Sequence, residues 1–257
     1  MNRRRAVFEE QINKVSRLYV DYQNNPFSDE LVHDLRVAIR ELRGLFNFIK
    51  KRMDEDHYDQ LNQQLGAAGR VFGPLRELDV LYVYCEGYAI EHPDASNAYY
   101  QLFNTFVKDR RIEMNRTFNK GNSTSIQDAI EQAKEVLDLD LFESKKDWKK
   151  YTLKRMKKKG KKLQYAYDNV DISDYELVHE IRKSAKKLRY ADTYFDETIS
   201  KNLGKYKKEA KAIQSEFGQI TDAYVNYDLL TVYAEKISDK QVHDLLIQIR
   251  DDIDFSA

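Results

Sequence analysis

Chain breakers are scarce in this sequence, which has nine Gly and three Pro among 257 residues. Average usage would make the two together about 12% of a chain. Without frequent turns a sandwich or a Rossmann-type sheet has no way to reverse direction, so the scarcity argues against both and for long helices. Apolar positions recur at helical spacing over most of the length, predicting helices near 4–23, 28–53, 55–72, 75–91, 95–120, 124–137, 144–168, 174–197, 201–217, 219–236 and 239–253. Helix starts are marked by Ser28, Asp94, Ser173 and Ser238, and breaks by Asn24-Asn25-Pro26, Gly73-Pro74, His92-Pro93 and Gly121-Asn122-Ser123. No alternating β-branched run competes. The expected fold class is all-α.

Charged residues make up 33% of the chain, which demands amphipathic helices with wide polar faces. Forty-three basic residues offset forty-three acidic ones, so any electrostatic role has to come from segregated charge and not from a global field. Cys85 is the one cysteine and can form no internal disulfide, as suits a reducing compartment. Arg3-Arg4-Arg5 is followed by Glu9-Glu10, which interrupts any signal-like apolar stretch, and no window of 18 apolar residues exists. A cytoplasmic protein without a membrane partner is expected.

The chain also repeats itself. Val32-His33-Asp34-Leu35-Arg36 opens a segment that continues through Arg40, Leu42 and Arg43; Val178-His179-Glu180-Ile181-Arg182 opens one that continues through Lys186, Leu188 and Arg189, 146 positions later. Phe72-Gly73 recurs as Phe217-Gly218, each followed by an acid, Asp79 or Asp222. So long an offset points to duplication of a whole helical unit. The expectation is one domain over 1–257, made of a first half at 1–120, a connecting segment at 121–143 and a second half at 144–257. The two halves would be similar four-helix-bundle-like units related by a pseudo-twofold axis.

On a helical wheel Val32, Leu35, Ile39, Leu42, Phe46 and Ile49 form an apolar stripe. His33, Arg36, Arg40 and Arg43 form a cationic stripe beside it, roughly 110° around. The second copy places His179, Arg182, Lys186 and Arg189 alongside Val178, Ile181, Ala185, Leu188 and Phe195, with Lys183 and Lys187 widening the row. Cationic stripes are ordinarily solvated faces stapled by acids one turn away, but no acid lies between Arg182 and Tyr190. A third basic run spans 145–162, with eleven bases against Asp147; Trp148, Tyr151, Leu153 and Met156 keep one side apolar, and Lys154, Arg155, Lys158 and Lys162 are candidate contacts. Acids collect elsewhere, at 128–143 and 251–254. These features call for an anionic, phosphate-rich polymer.

The block from Val32 to Arg43 and the block from Val178 to Tyr190 resemble the two signature helices of CHAD domains (conserved histidine α-helical domains). Leu75-Arg76-Glu77-Leu78-Asp79-Val80 is similar to that family's R-D-x-D-V segment, with Glu77 in place of Asp. Phe217-Gly218-Gln219-Ile220-Thr221-Asp222 is similar to its L-G-x-x-N-D segment, departing at Phe217 and Thr221, which bears on local packing. The resemblance covers nearly the whole chain. It implies two bundle-like halves around a basic central cavity that binds inorganic polyphosphate, with no catalytic activity and no cofactor. Polyphosphate granules or a polyphosphate-metabolising enzyme are the further partners it suggests.

Other readings use the same residues. Glu30-x-x-His33 and Glu176-x-x-His179 have the ligand spacing of a ferritin-like di-iron bundle, but the arginines and lysines one and two turns on would repel a metal cation. His33-Asp34 and His243-Asp244 are HD dipeptides, yet no histidine precedes His33 to complete a phosphohydrolase site. RNA could bind the same cations, although base recognition wants aromatics along the ladder, and only Tyr190 lies at its edge. A phosphate polymer without bases fits better.

Overall fold

The computed structural model describes residues 3–138, 148–195 and 204–255. The expected positions 139–147 and 196–203, including Lys145 and Lys146, lie outside the described residues. Within them the chain is all-helical, with α1 (Arg3–Asn24), α2 (Asp29–Ile49), α3 (Glu55–Val71), α4 (Gly73–Glu91), α5 (Ser96–Thr117), α6 (Lys120–Asp138), α7 (Trp148–Asp168), α8 (Tyr175–Phe195), α9 (Gly204–Lys236) and α10 (Lys240–Asp251). None is long and apolar enough to cross a membrane.

Local chemistry sets the ends. The Ser28 hydroxyl accepts the Leu31 N–H at 3.1 Å while Asp29 and Glu30 oppose the helix dipole, so α2 starts there. Three other starts differ from expectation. Asp94 falls within a 3₁₀ turn, Pro93–Ala95, and makes no cap for α5. Asp174 caps α8 in place of Ser173, accepting the Leu177 N–H, and Asp239 caps α10 in place of Ser238, accepting from Gln241 and Val242. Aspartate reaches the second and third amides as well as serine does and adds a charge to the dipole. The expected break at Gly121-Asn122-Ser123 lies inside α6; the chain turns instead at Phe118-Asn119, where the Asn119 side chain accepts the Asn122 N–H at 2.8 Å.

The largest departure is α9. Two helices were expected, at 201–217 and 219–236, but Gly218 sits inside a continuous 33-residue helix. At the matching Phe72-Gly73 the helix does break, because Pro74 follows: it lacks an N–H and its ring would strike the carbonyl four residues back. Gln219 has no such defect, and glycine alone weakens a helix without ending it.

The elements pack around two cores. The central one joins α1, α2, α3, α6, α7, α8 and the first half of α9, with Phe8, Phe46, Phe48 and Phe195 in ring contact at its middle. The distal one joins the later part of α4 with α5, the second half of α9 and α10, around Phe106 and Tyr233. Residues 121–138, expected within the connecting segment, belong to α6, which buries Ile126, Ala129, Ile130, Ala133, Val136 and Leu137. Both apolar stripes of the repeated blocks face the central core: Val32, Leu35, Ile39, Leu42, Phe46 and Ile49 are buried, as are Val178, Ile181, Ala185, Leu188 and Phe195.

Candidate anion-binding face

Burying those stripes fixes the direction of the cationic rows beside them. Because α2 packs directly on α8, with Gly44 against the Tyr190 ring, the two rows come together. Arg40 of α2 lies within electrostatic reach of Lys186 of α8, and Arg43 within reach of Lys187. From α7, Lys159 reaches Lys187 and Lys50 and is flanked by Arg155 and Lys162. At the opposite end His33 lies near Arg36, Arg40 and Arg76 of α4. A continuous cationic face therefore runs from α4 across α2 and α8 to α7.

Its members divide by what holds them. Some arginines are tied to the protein. Arg36 donates to the Gly69 carbonyl at 3.0 Å, and Arg43 donates to the Asn62 side chain at 2.8 Å. Gly66 of α3 leaves room for one of them: a Cβ there would stand 3.3 Å from the Arg43 guanidinium. Arg182 grips Asp222 with two hydrogen bonds, at 3.0 and 3.2 Å, and donates to the Thr221 hydroxyl. Arg155 donates to the Asn47 carbonyl at 3.0 Å and lies over the Phe48 and Tyr151 rings. Arg189 lies over the Tyr190 ring.

The amines differ. Lys183 pairs with Glu180 at 2.6 Å, an exposed contact worth little and easily exchanged for another anion. Among the described residues no carboxylate bonds Lys159, Lys186 or Lys187, and none bonds Arg40. Burial and then Arg182 push the half-buried Lys186 down to about 8; burial and then Arg155 push Lys159 down to about 8. Lys187 is lowered also, first by burial. His33 and His179 are held below the ordinary imidazole range by burial, then by Arg76 and Lys183 respectively, so both are neutral near pH 7. Histidine therefore enters this face as a neutral group whose protonation an arriving anion would favour.

The acid-free second ladder of the sequence acquires acids in three dimensions, since Asp222 comes from α9. Asp79 and Asp222, the acids that follow the two Phe-Gly pairs, have separate tasks. Asp79 is buried and pairs with Arg110 of α5 at 2.6 Å; burial raises its pKa in spite of that partner. Asp222 instead anchors a ladder arginine, and Glu77 acts on Arg36 from the corresponding place. Thr221, a departure from the family pattern, bonds that same arginine.

On α7 the inner row is Arg155, Lys159 and Lys162, spaced four and three residues apart. Lys154 and Lys158 are exposed on the outer side of that helix. Lys50, Arg76 and Lys159 were not among the candidates read from the sequence. The i,i+4 relation of Lys159 to Arg155 was a signal for one of them, and Arg76 belongs to a recognised block. The two E-x-x-H pairs do not assemble a metal site. Among the described residues no three ligand-type side chains converge; His33 has arginines around it, and His179 meets the Tyr175 hydroxyl at 3.3 Å.

The sequence model of the CHAD domain matches residues 7–231. Two solved structures share the fold. The crystal structure of the CHAD domain from the plant Ricinus communis superposes with a TM-score of 0.75 at 19% identity, over 97% of this chain and 83% of that one. PptA from Streptomyces chartreusis gives a TM-score of 0.71 at 10% identity, over 97% of this chain and 92% of that one. No curated protein matches the chain in sequence.

Proposed function

The chain belongs to the CHAD domain family, and from that premise we propose that it binds inorganic polyphosphate, without catalysis, along the face built by α2, α8 and α7. The observation that carries this reading is the crowding of amines without carboxylate partners. Holding Lys159 and Lys186 half-buried among other cations costs free energy, which a polyanion would offset by neutralising several of them together. The cations free to meet phosphate are Arg40, Lys186, Lys187, Lys159, Lys162 and Arg76, with Lys183 available once it releases Glu180. Arg36, Arg43, Arg155, Arg182 and Arg189 would shape the face and lend it field.

We also read the chain as a duplication about a pseudo-twofold axis. In support, α8 reproduces the span of α2 at an offset of 146 residues. Gly73 and Gly218 also lie against equivalent guanidiniums: a Cβ on either would come within 3.5 Å of Arg36 or Arg182. On this reading the face is one shared groove. Cytoplasmic residence beside polyphosphate granules or a polyphosphate-metabolising enzyme follows as part of the same proposal.

A titration of long-chain polyphosphate against single-stranded RNA at matched charge tests it. Polyphosphate should bind more tightly, with log affinity falling linearly in log salt by about 0.7 or more for each phosphate neutralised. RNA binding as tight as polyphosphate would favour a nucleic-acid role, and a flat salt dependence would remove the electrostatic reading altogether.

A further inference from the structure

We infer that the cavity between α4, α5 and the second half of α9 is a binding site for an aliphatic polyamine. It has a volume of about 330 Å³, within the range of small-ligand sites, and none of its lining comes from α2, α7 or α8. Its walls are apolar: Leu78 and Leu81 of α4, Ile112 of α5, and Leu229 and Val232 of α9. Ile112 is 63% exposed and Val232 46%, so this cavity presents apolar surface to water that a ligand would cover. Three carboxylates join the lining, Glu77 from α4 and, one turn apart on α5, Asp109 and Glu113. Lys236 is the one base in it, and its ammonium stands over the Tyr233 ring, 6.0 Å from the centre.

These carboxylates keep capacity for a cation. Asp109 accepts the Tyr233 hydroxyl through Oδ2, which leaves Oδ1 for another donor. Among the described residues no base pairs with Asp109 or Glu77, although Glu77 acts on Arg36 at longer range. Glu113 meets the exposed Arg116 at 3.6 Å, a contact worth little. No three ligand-type side chains converge among the described residues, so the acids do not close on one metal ion. Carboxylates spread along an apolar cavity match ammoniums spread along an aliphatic chain. The amines would meet the carboxylates while the methylenes cover Ile112 and Val232. Exposed ion pairs alone contribute little, so charge and apolar contact have to act together. The inference does not need the polymer, since the cavity shares no lining residue with the cations of the anion-binding face.

The test is a calorimetric titration of the full chain with spermidine, against hexaamminecobalt(III), an ion of the same charge without methylenes. Spermidine should saturate a single site per chain and bind at least about tenfold more tightly than the cobalt ion, because only it gains the apolar walls. Asp109→Asn with Glu113→Gln should weaken spermidine by about tenfold or more, and the new amide oxygen still accepts the Tyr233 hydroxyl. Val232→Lys changes an exposed side chain, so the fold should stand; the added cation at the cavity should weaken spermidine about as much. Equal affinity for the two ions would reduce the site to an acidic surface and overturn the inference. Full spermidine affinity in both variants, with circular dichroism unchanged, would overturn it as well. A chain that binds polyphosphate but no spermidine loses only this site; one that binds spermidine but no polymer loses only the proposed function.

Discussion

Lysine is seldom half-buried without a carboxylate, because its ammonium gives up hydration that only a counter-charge restores. Lys159 and Lys186 are in that condition, and both stand near about 8 as a result. The folded chain therefore holds fewer protons than the unfolded chain between pH 8 and the ordinary lysine value of about 10.4. Stability rises with pH wherever the unfolded state binds more protons, so the penalty is full below pH 8 and shrinks above it. The melting temperature should climb from pH 7.5 to 9.5, and Lys186→Met should be more stable than the parent at pH 7 with a flatter climb; a parent that loses stability across that range would contradict the burial cost. Arginine behaves differently on the same face. Arg36 and Arg182 find a carbonyl or a carboxylate within reach, so they are fixed while the amines remain available. Which bases would be anchors and which contacts was not legible from spacing, since Gly69 and Asp222 are 33 and 40 residues away from the arginines they hold.

At the scale of elements, α3 with α4 and the single helix α9 show how one residue changes a repeated plan. Phe72-Gly73-Pro74 ends a helix and starts another, whereas Phe217-Gly218-Gln219 runs straight through. The straight helix carries Asp222 onto the face through its first half and Tyr233 into the distal core through its second. Gln219→Pro should break α9 at a cost of about 3 kcal/mol or more. It should weaken polymer binding as well, by moving Asp222 away from Arg182, and calorimetry with a binding titration reads both. An unchanged melting temperature would mean that the continuity of α9 is not a stabilising element. The sequence contained the decisive signal here, Pro74 against Gln219, although two glycines in matching places suggested two breaks. The caps were similarly legible to within a residue, with Asp174 and Asp239 winning over the serines beside them by virtue of their charge.

For the whole molecule the consequence is a division that does not follow the order of the chain. Both cores take helices from each half of the sequence, and charge is divided with them: α7 has nine bases and one acid, while residues 219–255 have three bases and eight acids. The cationic rows from the two halves meet because α2 packs on α8, so one long polymer could touch both at once. Replacing Arg40 and Arg43 by Glu, or separately Lys186 and Lys187 by Glu, should each weaken long-chain polyphosphate severely and by similar factors, with circular dichroism unchanged. Two independent sites would instead leave half the binding capacity at full affinity in either variant. The all-helical class, the two buried stripes and the cationic rows were determined by the sequence, because helical periodicity is a local property that each segment carries wherever it packs. Only the tertiary structure decided that Lys50, Arg76 and Lys159 join those rows, that Asp222 pins Arg182 while Asp79 pins Arg110, and that residues 120–138 belong to the central core. Those choices depend on which helix faces which, and that is settled by burial summed over the whole chain, a quantity that no single segment contains.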